Sequence, residues 1–258
     1  MKMTGSIQLL SWSAWRRPIT FAFSSPWRPC CSLSISHVIS HITTTIKTRD
    51  DGSLKIRFVL DLLRSGASGR CRVPERVVLP RVCDVVHSLL FMIIAWASFL
   101  RTFTVQAYVS MATIDFKDAF YTIHLKLCDR GMTTFATLRG YAYFARVPFG
   151  LASAPLIWAR VAALLMRIGQ APFASWELML HCFVDDPAIV LGGSLRDRKH
   201  NLGLLLLLWS ALGAQLAWPK AAHGHDVEWI GIRVWIKKLF MGKRLCAPSF
   251  RPRSSHKS

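Results

Sequence analysis

A chain of 258 residues, 52% of them hydrophobic, can bury a sizeable core, which excludes an intrinsically disordered protein and leaves room for one large domain or one and a half ordinary ones. Lys and Arg number 33 against 14 acids, a formal charge of +19 that points to a polyanionic partner, either nucleic acid or an anionic membrane. The seven cysteines are odd in number and include no C-x-x-C pair, so a secreted disulfide scaffold and structural zinc are both disfavoured, and the expected location is intracellular, in cytoplasm or nucleus.

Residues 1–49 contain no acid, six Lys or Arg and many serines, a composition that imitates an organelle transit peptide; a leader without a targeting role is the preferred reading. Residues 1–40, interrupted by Pro18, Pro26 and Pro29, are expected to be a basic tail. Residues 42–47 read as a strand, Asp50-Asp51-Gly52-Ser53 as a turn and 54–62 as a second strand, a hairpin carrying Lys47, Arg49, Lys55 and Arg57. Such cations suit phosphates and serve equally well to protect a sheet edge. A basic loop over 65–72 follows, and Pro80 introduces a helix over 82–100.

The apolar run 111–114 leads directly into Asp115-Phe116-Lys117-Asp118-Ala119-Phe120-Tyr121, with 119–127 reading as helical. Residues 133–138 and 141–147 read as a hairpin turning at Arg139-Gly140. In the stretch 148–155, Ser153 is placed to cap a helix and Pro155 suits its first turn; Ile157, Val161, Leu164 and Ile168 then recur at helical spacing. Residues 181–184 and 188–191 flank Asp185-Asp186 as strand, acidic turn and strand. A helix over 202–216, Trp218-Pro219-Lys220, a last strand or hairpin arm over 227–236 and a basic tail over 237–258 complete the chain.

The apolar runs 85–100 and 202–218, of 16 and 17 residues, are shorter than the roughly 20 residues a bilayer asks for, so both are expected as core helices with no membrane partner. His223-Gly224-His225 has no cysteine nearby and reads as a solvated loop.

Adjacent acids repel unless a cation sits between them. Taken singly, Asp185-Asp186 reads as a solvated turn and Asp115 as a helix cap. Together, three strand-borne carboxylates suit divalent metal, because magnesium prefers oxygen ligands and keeps several waters. Two such ions about 4 Å apart stabilise the attacking and leaving oxygens of nucleotidyl transfer. On this reading Asp115, Asp185 and Asp186 hold two Mg2+ ions, with the Phe116 carbonyl as an extra ligand and Mn2+ as an alternative ion.

These residues resemble the reverse transcriptases of retroelements, especially those of retrotransposons and pararetroviruses. The run 115–121 is similar to the family's first palm motif, Val147-Pro148-Phe149-Gly150-Leu151-Ala152-Ser153-Ala154-Pro155 to its Pro-Phe-Gly-Leu-x-x-Ala-Pro motif, and Phe183-Val184-Asp185-Asp186 to its aromatic-x-Asp-Asp hairpin. Residues 54–61, Leu212-Gly213-Ala214 followed by Trp218-Pro219-Lys220, and Trp229-Ile230-Gly231 extend the resemblance to about three quarters of the chain. It implies an α+β right-hand polymerase fold, fingers and palm over 41–236, with a central antiparallel sheet backed by helices and the thumb largely absent. It implies RNA-directed DNA polymerase activity on an RNA or DNA template with primer, using deoxynucleoside triphosphates.

The implied roles follow the motifs. Arg57 would contact the triphosphate with Lys47 or Arg49 as its companion, Asp118 and Ala119 would lie beside it through their amides, and Phe120 would exclude a ribose 2′ hydroxyl. Phe149 and Gly150 would support the nascent base pair, Lys220 would meet the leaving pyrophosphate, and Trp229, Ile230 and Gly231 would grip the primer. Leu63 departs from the family's usual arginine, and Pro187 removes an amide beside the acidic pair. The alternative is a catalytically silent nucleic-acid-binding remnant of such an element.

Overall fold

β-Branched and alternating segments build separate sheets in this computed structural model, which describes residues 38–48, 52–100, 107–138, 140–236 and 249–252. Two interleaved units divide the chain, one of residues 1–72 and 123–152, the other of 73–122 and 153–258. The first contains β1 (Ile39–Thr48), β2 (Leu54–Asp61), β4 (Thr134–Thr137) and β5 (Gly140–Tyr143). The second contains α1 (Val82–Leu100), β3 (Val109–Thr113), α2 (Ala154–Gln170), β6 (Leu178–Phe183), β7 (Asp186–Gly192), α3 (Leu195–Ala211), β8 (Ala222–Gly224), β9 (Asp226–Trp229), β10 (Ile232–Trp235) and β11 (Ser249–Pro252).

In the first unit the strand order is β2-β1-β4-β5. The β1–β2 hairpin is antiparallel along its length, while β1 meets β4 in parallel through only Ile39 and Ser40. The expected hairpin over 42–62 is therefore present and starts earlier, at Ile39, where pairing with β4 extends it. Its expected turn at Asp50 and Asp51, together with Arg49 and Arg139, lies outside the described residues. Phe135 and Phe144 fill the space behind β4 and β5, with ring centroids 5.4 Å apart.

The second unit is organised on an antiparallel sheet of order β6-β7-β3-β8. Ala188, Ile189, Val190 and Leu191 of β7 are all fully buried, as a strand covered on both faces requires. Val85, Leu89 and Met92 of α1 pack on one face with Met111, Val190 and the β9–β10 residues Val227, Trp229 and Val234. Alternation turns Ile189 and Leu191 to the other face, where α2 and α3 pack. The α1 helix is long and apolar enough to cross a membrane by length and composition; here one stripe of it forms the core described.

Several local expectations are corrected. The helix expected over 202–216 is Leu195–Ala211, because Ser194 and Asp197 form a reciprocal capping box that starts it in a polar segment, and Gly213, at φ 83°, follows its end. Ser153 makes no side-chain cap to α2 and already has helical dihedrals. Residues 119–127 form only a short 3₁₀ turn at Ala119–Thr122, with another at Leu127–Thr133. Within the expected basic tail, β11 adds to the β9–β10 hairpin as a third strand. Residues 1–37, 237–248 and 253–258 lie outside the described residues.

Candidate active site

The path of the chain past β3 builds the site. Beyond Thr113 the strand direction persists: Ile114 donates its amide to the Pro187 carbonyl at 3.4 Å, and Phe116 donates to Asp185 at 2.8 Å. On the opposite side Lys117 donates to Gln215 at 2.7 Å and Ala217 donates to Asp115 at 2.9 Å. Asp115 is thereby fixed between two neighbouring segments. Phe116 is buried, its ring 5.6 Å from Trp158 and 5.2 Å from Trp209.

The β6–β7 hairpin has a two-residue turn, Val184-Asp185, closed by the pair Phe183 and Asp186. Val184 has φ 56°, a left-handed conformation that is costly for a β-branched residue. Trp158 secures it by donating from its indole to the Val184 carbonyl at 2.7 Å. The lost amide of Pro187 falls on the β3 side, opposite Ile114, where the regular ladder has just ended at Thr113–Ala188. Placed there, the proline leaves the inner ladder intact.

Lys220 reaches the site through an interruption in pairing. Phe116 pairs with Leu216 and Thr113 with Ala222, so three steps along one strand face six along the other. The extra length folds as the 3₁₀ turn Trp218–Lys220, closed by Lys220 donating to Ala217 and Ala221 donating to Trp218. This bulge brings the Lys220 ammonium onto the Asp115 carboxylate in an ion pair.

The β9–β10 hairpin turns on Ile230 and Gly231, both with positive φ, the pattern of a type I′ turn. Trp229 is only 2% exposed; its indole donates to the Asp186 carbonyl at 2.9 Å and its ring meets Phe183 edge-on at 6.5 Å. Of the three residues assigned to a primer grip, Gly231 is exposed, Ile230 is half-buried and Trp229 is buried and anchored to the acidic hairpin, and all three line the same cleft.

An open cleft of about 270 Å³ gathers Asp115, Asp186, Lys220, Glu228, Ile230 and Gly231. Glu228 has no counterpart in the motif reading, although its place one residue before the Trp229 anchor marks it. Asp185, Phe116, Asp118, Ala119 and Phe120 are not among the cleft-lining residues. A two-residue turn separates Asp185 from its neighbour's strand-borne direction, and Asp118, at φ 53°, turns the chain away into the Ala119–Thr122 3₁₀ turn. Burial raises the Asp186 carboxyl above the usual range. Burial, reinforced by Asp185 and Asp186, pushes the Cys182 thiol up to about 12.

Among the described residues, no three His, Cys, Asp or Glu side chains gather closely enough to hold a metal ion unaided. Asp115 and Asp186 nevertheless open on one cleft, and magnesium is commonly held by one or two carboxylates completed by waters and substrate phosphates. The ammonium on Asp115 is itself a cation at such a position. The donor chemistry fits a hard divalent ion.

In the first unit, Arg57 lies over the Phe149 ring, 5.7 Å from its centroid. Leu60 donates to the Phe149 carbonyl at 3.2 Å, and Gly150 follows at φ 99° with its α-carbon against the Leu60 carbonyl. Lys47 is exposed on β1, opposite Lys55 in the hairpin register.

The sequence model of the reverse transcriptase (RNA-dependent DNA polymerase) family matches residues 65–234, and the chain belongs to that family. It is 33% identical over 189 residues, 72% of its length, to the retrovirus-related Pol polyprotein from transposon opus of Drosophila melanogaster, of which it spans 16%. Its fold is similar to that of a foamy viral protease–reverse transcriptase solved in complex with double-stranded DNA, with TM-score 0.50, 20% identity, and coverage of 76% of this chain and 29% of that one. The expected α+β polymerase fold of a retroelement reverse transcriptase domain is thus present.

Proposed function

We propose that this domain carries the RNA-directed DNA polymerase activity of a retroelement, adding deoxynucleotides to a primer 3′ end on an RNA or DNA template. The observation that supports this most is the opening of Asp115 and Asp186, from adjacent strands, on one cleft beside Lys220. Asp115, Asp186 and, at the turn, Asp185 are the carboxylates assigned to metal, with the Phe116 carbonyl. Mg2+, or Mn2+ in its place, would supply Lewis-acid stabilisation of charge on the attacking and leaving oxygens.

The remaining residues bind and orient. Ile230 and Gly231 present the turn assigned to the primer end, held by the Trp229 anchor. Lys220 neutralises charge on the leaving pyrophosphate. Asp118 and Ala119 offer backbone amides to the nucleotide, and Phe120 excludes the 2′ hydroxyl. In the first unit, Lys47 and Arg57 are assigned to the triphosphate and Phe149-Gly150 to the nascent pair. The charge of +19 supports nucleic-acid binding through phosphates.

Primer extension by the purified chain with Mg2+ on an RNA template tests the reading. Product is expected, and Asp115→Ala, Asp185→Ala or Asp186→Ala should abolish it while template–primer binding persists. Folded protein that binds template–primer without extending it would support the silent-remnant reading instead.

A further inference from the structure

Lys220 does more in this fold than wait for a leaving group. Its ammonium sits on Asp115, whose side chain is 20% exposed against 62% for that of Lys220. The side chain of Lys220 is largely exposed, but the backbone that carries it is held in place. Pairing of Phe116 with Leu216 and of Thr113 with Ala222 fixes both ends of the bulge, and two backbone hydrogen bonds close the 3₁₀ turn between them. The register of the strand pair therefore delivers the ammonium to the carboxylate.

The charges at the cleft explain why a cation belongs there. Asp115 and Asp186 share it, Glu228 also lines it, and carboxylates at close quarters repel without one. The same Asp115 is the one the proposed function assigns to metal. An ammonium and a divalent ion cannot both occupy one face of that carboxylate.

We infer that the Lys220 ammonium is the built-in stand-in cation of the metal-free cleft, and that a divalent ion must displace it from Asp115 to bind. This inference rests on the assignment of Asp115 to metal. Ion binding and release of Lys220 are then one event. The lysine becomes available to a phosphate only once the cleft is loaded, and the protein's affinity for the ion is set lower than its carboxylates alone would make it.

Two measurements on the full chain test this. The first is Mn2+ binding, followed by the loss of its free-ion electron paramagnetic resonance signal, for the unmodified chain, Lys220→Met, Lys199→Met and Asp115→Asn. Lys220→Met should bind up to about fivefold more tightly, the scale expected when a partly exposed ion pair no longer has to be broken. Lys199→Met, which removes the same charge elsewhere, should bind within about twofold of the unmodified chain. The second is the rate at which Lys220 of the unmodified chain is acetylated by acetic anhydride, read by mass spectrometry. Saturating Mg2+ should raise that rate, and Asp115→Asn should abolish the effect of the ion.

Equal Mn2+ affinity in Lys220→Met and the unmodified chain, or Lys220 labelling indifferent to Mg2+, would overturn the displacement while leaving the metal assignment standing. Equal Mn2+ binding by Asp115→Asn and the unmodified chain would instead overturn the metal assignment, and the displacement with it.

Discussion

Trp229→Phe probes how the acidic hairpin is held. The indole nitrogen donates to the Asp186 carbonyl at 2.9 Å from a side chain only 2% exposed. Phenylalanine keeps most of the contact with Phe183 and loses the donor. An internal hydrogen bond contributes about 1 kcal/mol, and the smaller ring leaves a void that costs roughly another 1–2 kcal/mol. A loss of about 2–3 kcal/mol is expected in urea denaturation. The Asp186 main chain loosens with it, so kcat for nucleotide addition should fall about tenfold or more, as misplacement of a positioned group does. Template–primer affinity should hold, because Trp229, although it borders the cleft, is only 2% exposed. Stability within about 0.5 kcal/mol of the unmodified chain, or a defect confined to primer affinity, would refute the anchoring role.

Other perturbations address separate parts of the molecule. Gly150→Ala should cost about 2–4 kcal/mol by denaturation, combining left-handed strain with loss of the Leu60 bond, since a Cβ there would lie 2.2 Å from the Leu60 carbonyl oxygen; an unchanged midpoint would contradict the close approach. Arg198 is 3% exposed, burial lowers its pKa, and its Nε is without a partner. Arg198→Met should therefore leave stability unchanged or raise it by up to about 1–3 kcal/mol, the cost of a buried polar group without a partner, and a clear fall in Tm would show that the bond to the Ala107 carbonyl outweighs desolvation. His181, bonded to Ser88 at 2.8 Å, is pushed below the ordinary histidine range mainly by burial. Its folded pKa lies below its unfolded one, so the unfolded chain binds more protons between them, and stability falls as pH drops through that interval. The Tm of His181→Gln should depend less steeply on pH below about 6.5, and identical slopes would exclude His181 as a source.

Much of the site was legible because it depends on short-range pattern. An apolar run ending in Asp115, two apolar runs around Asp185-Asp186, and a Pro- and Gly-marked stretch at 148–155 each read directly from residue type. The two features that complete the cleft depend on distant pairings. The Lys220 bulge exists because Leu216 and Ala222 pair out of step with Phe116 and Thr113, and no local propensity encodes that offset. The burial of Trp229 follows from α1 and β7 packing beneath it, which a Trp-Ile-Gly motif does not disclose. Local preference even misleads at Val184, where a β-branched residue takes the left-handed turn position because the hairpin and the Trp158 bond hold it there. The start of α3 was missed for the opposite reason, a capping box followed by a polar first turn that hides helical period.

The central claim is that Asp115 and Asp186 act on one cleft as a unit. Single-turnover addition of one nucleotide by Asp115→Asn, Asp186→Asn and the double variant tests it most directly. Each single change should slow addition at least about a hundredfold, and the double variant should be little slower than either, as groups that act together are non-additive. Losses that multiply in the double variant would contradict a shared role.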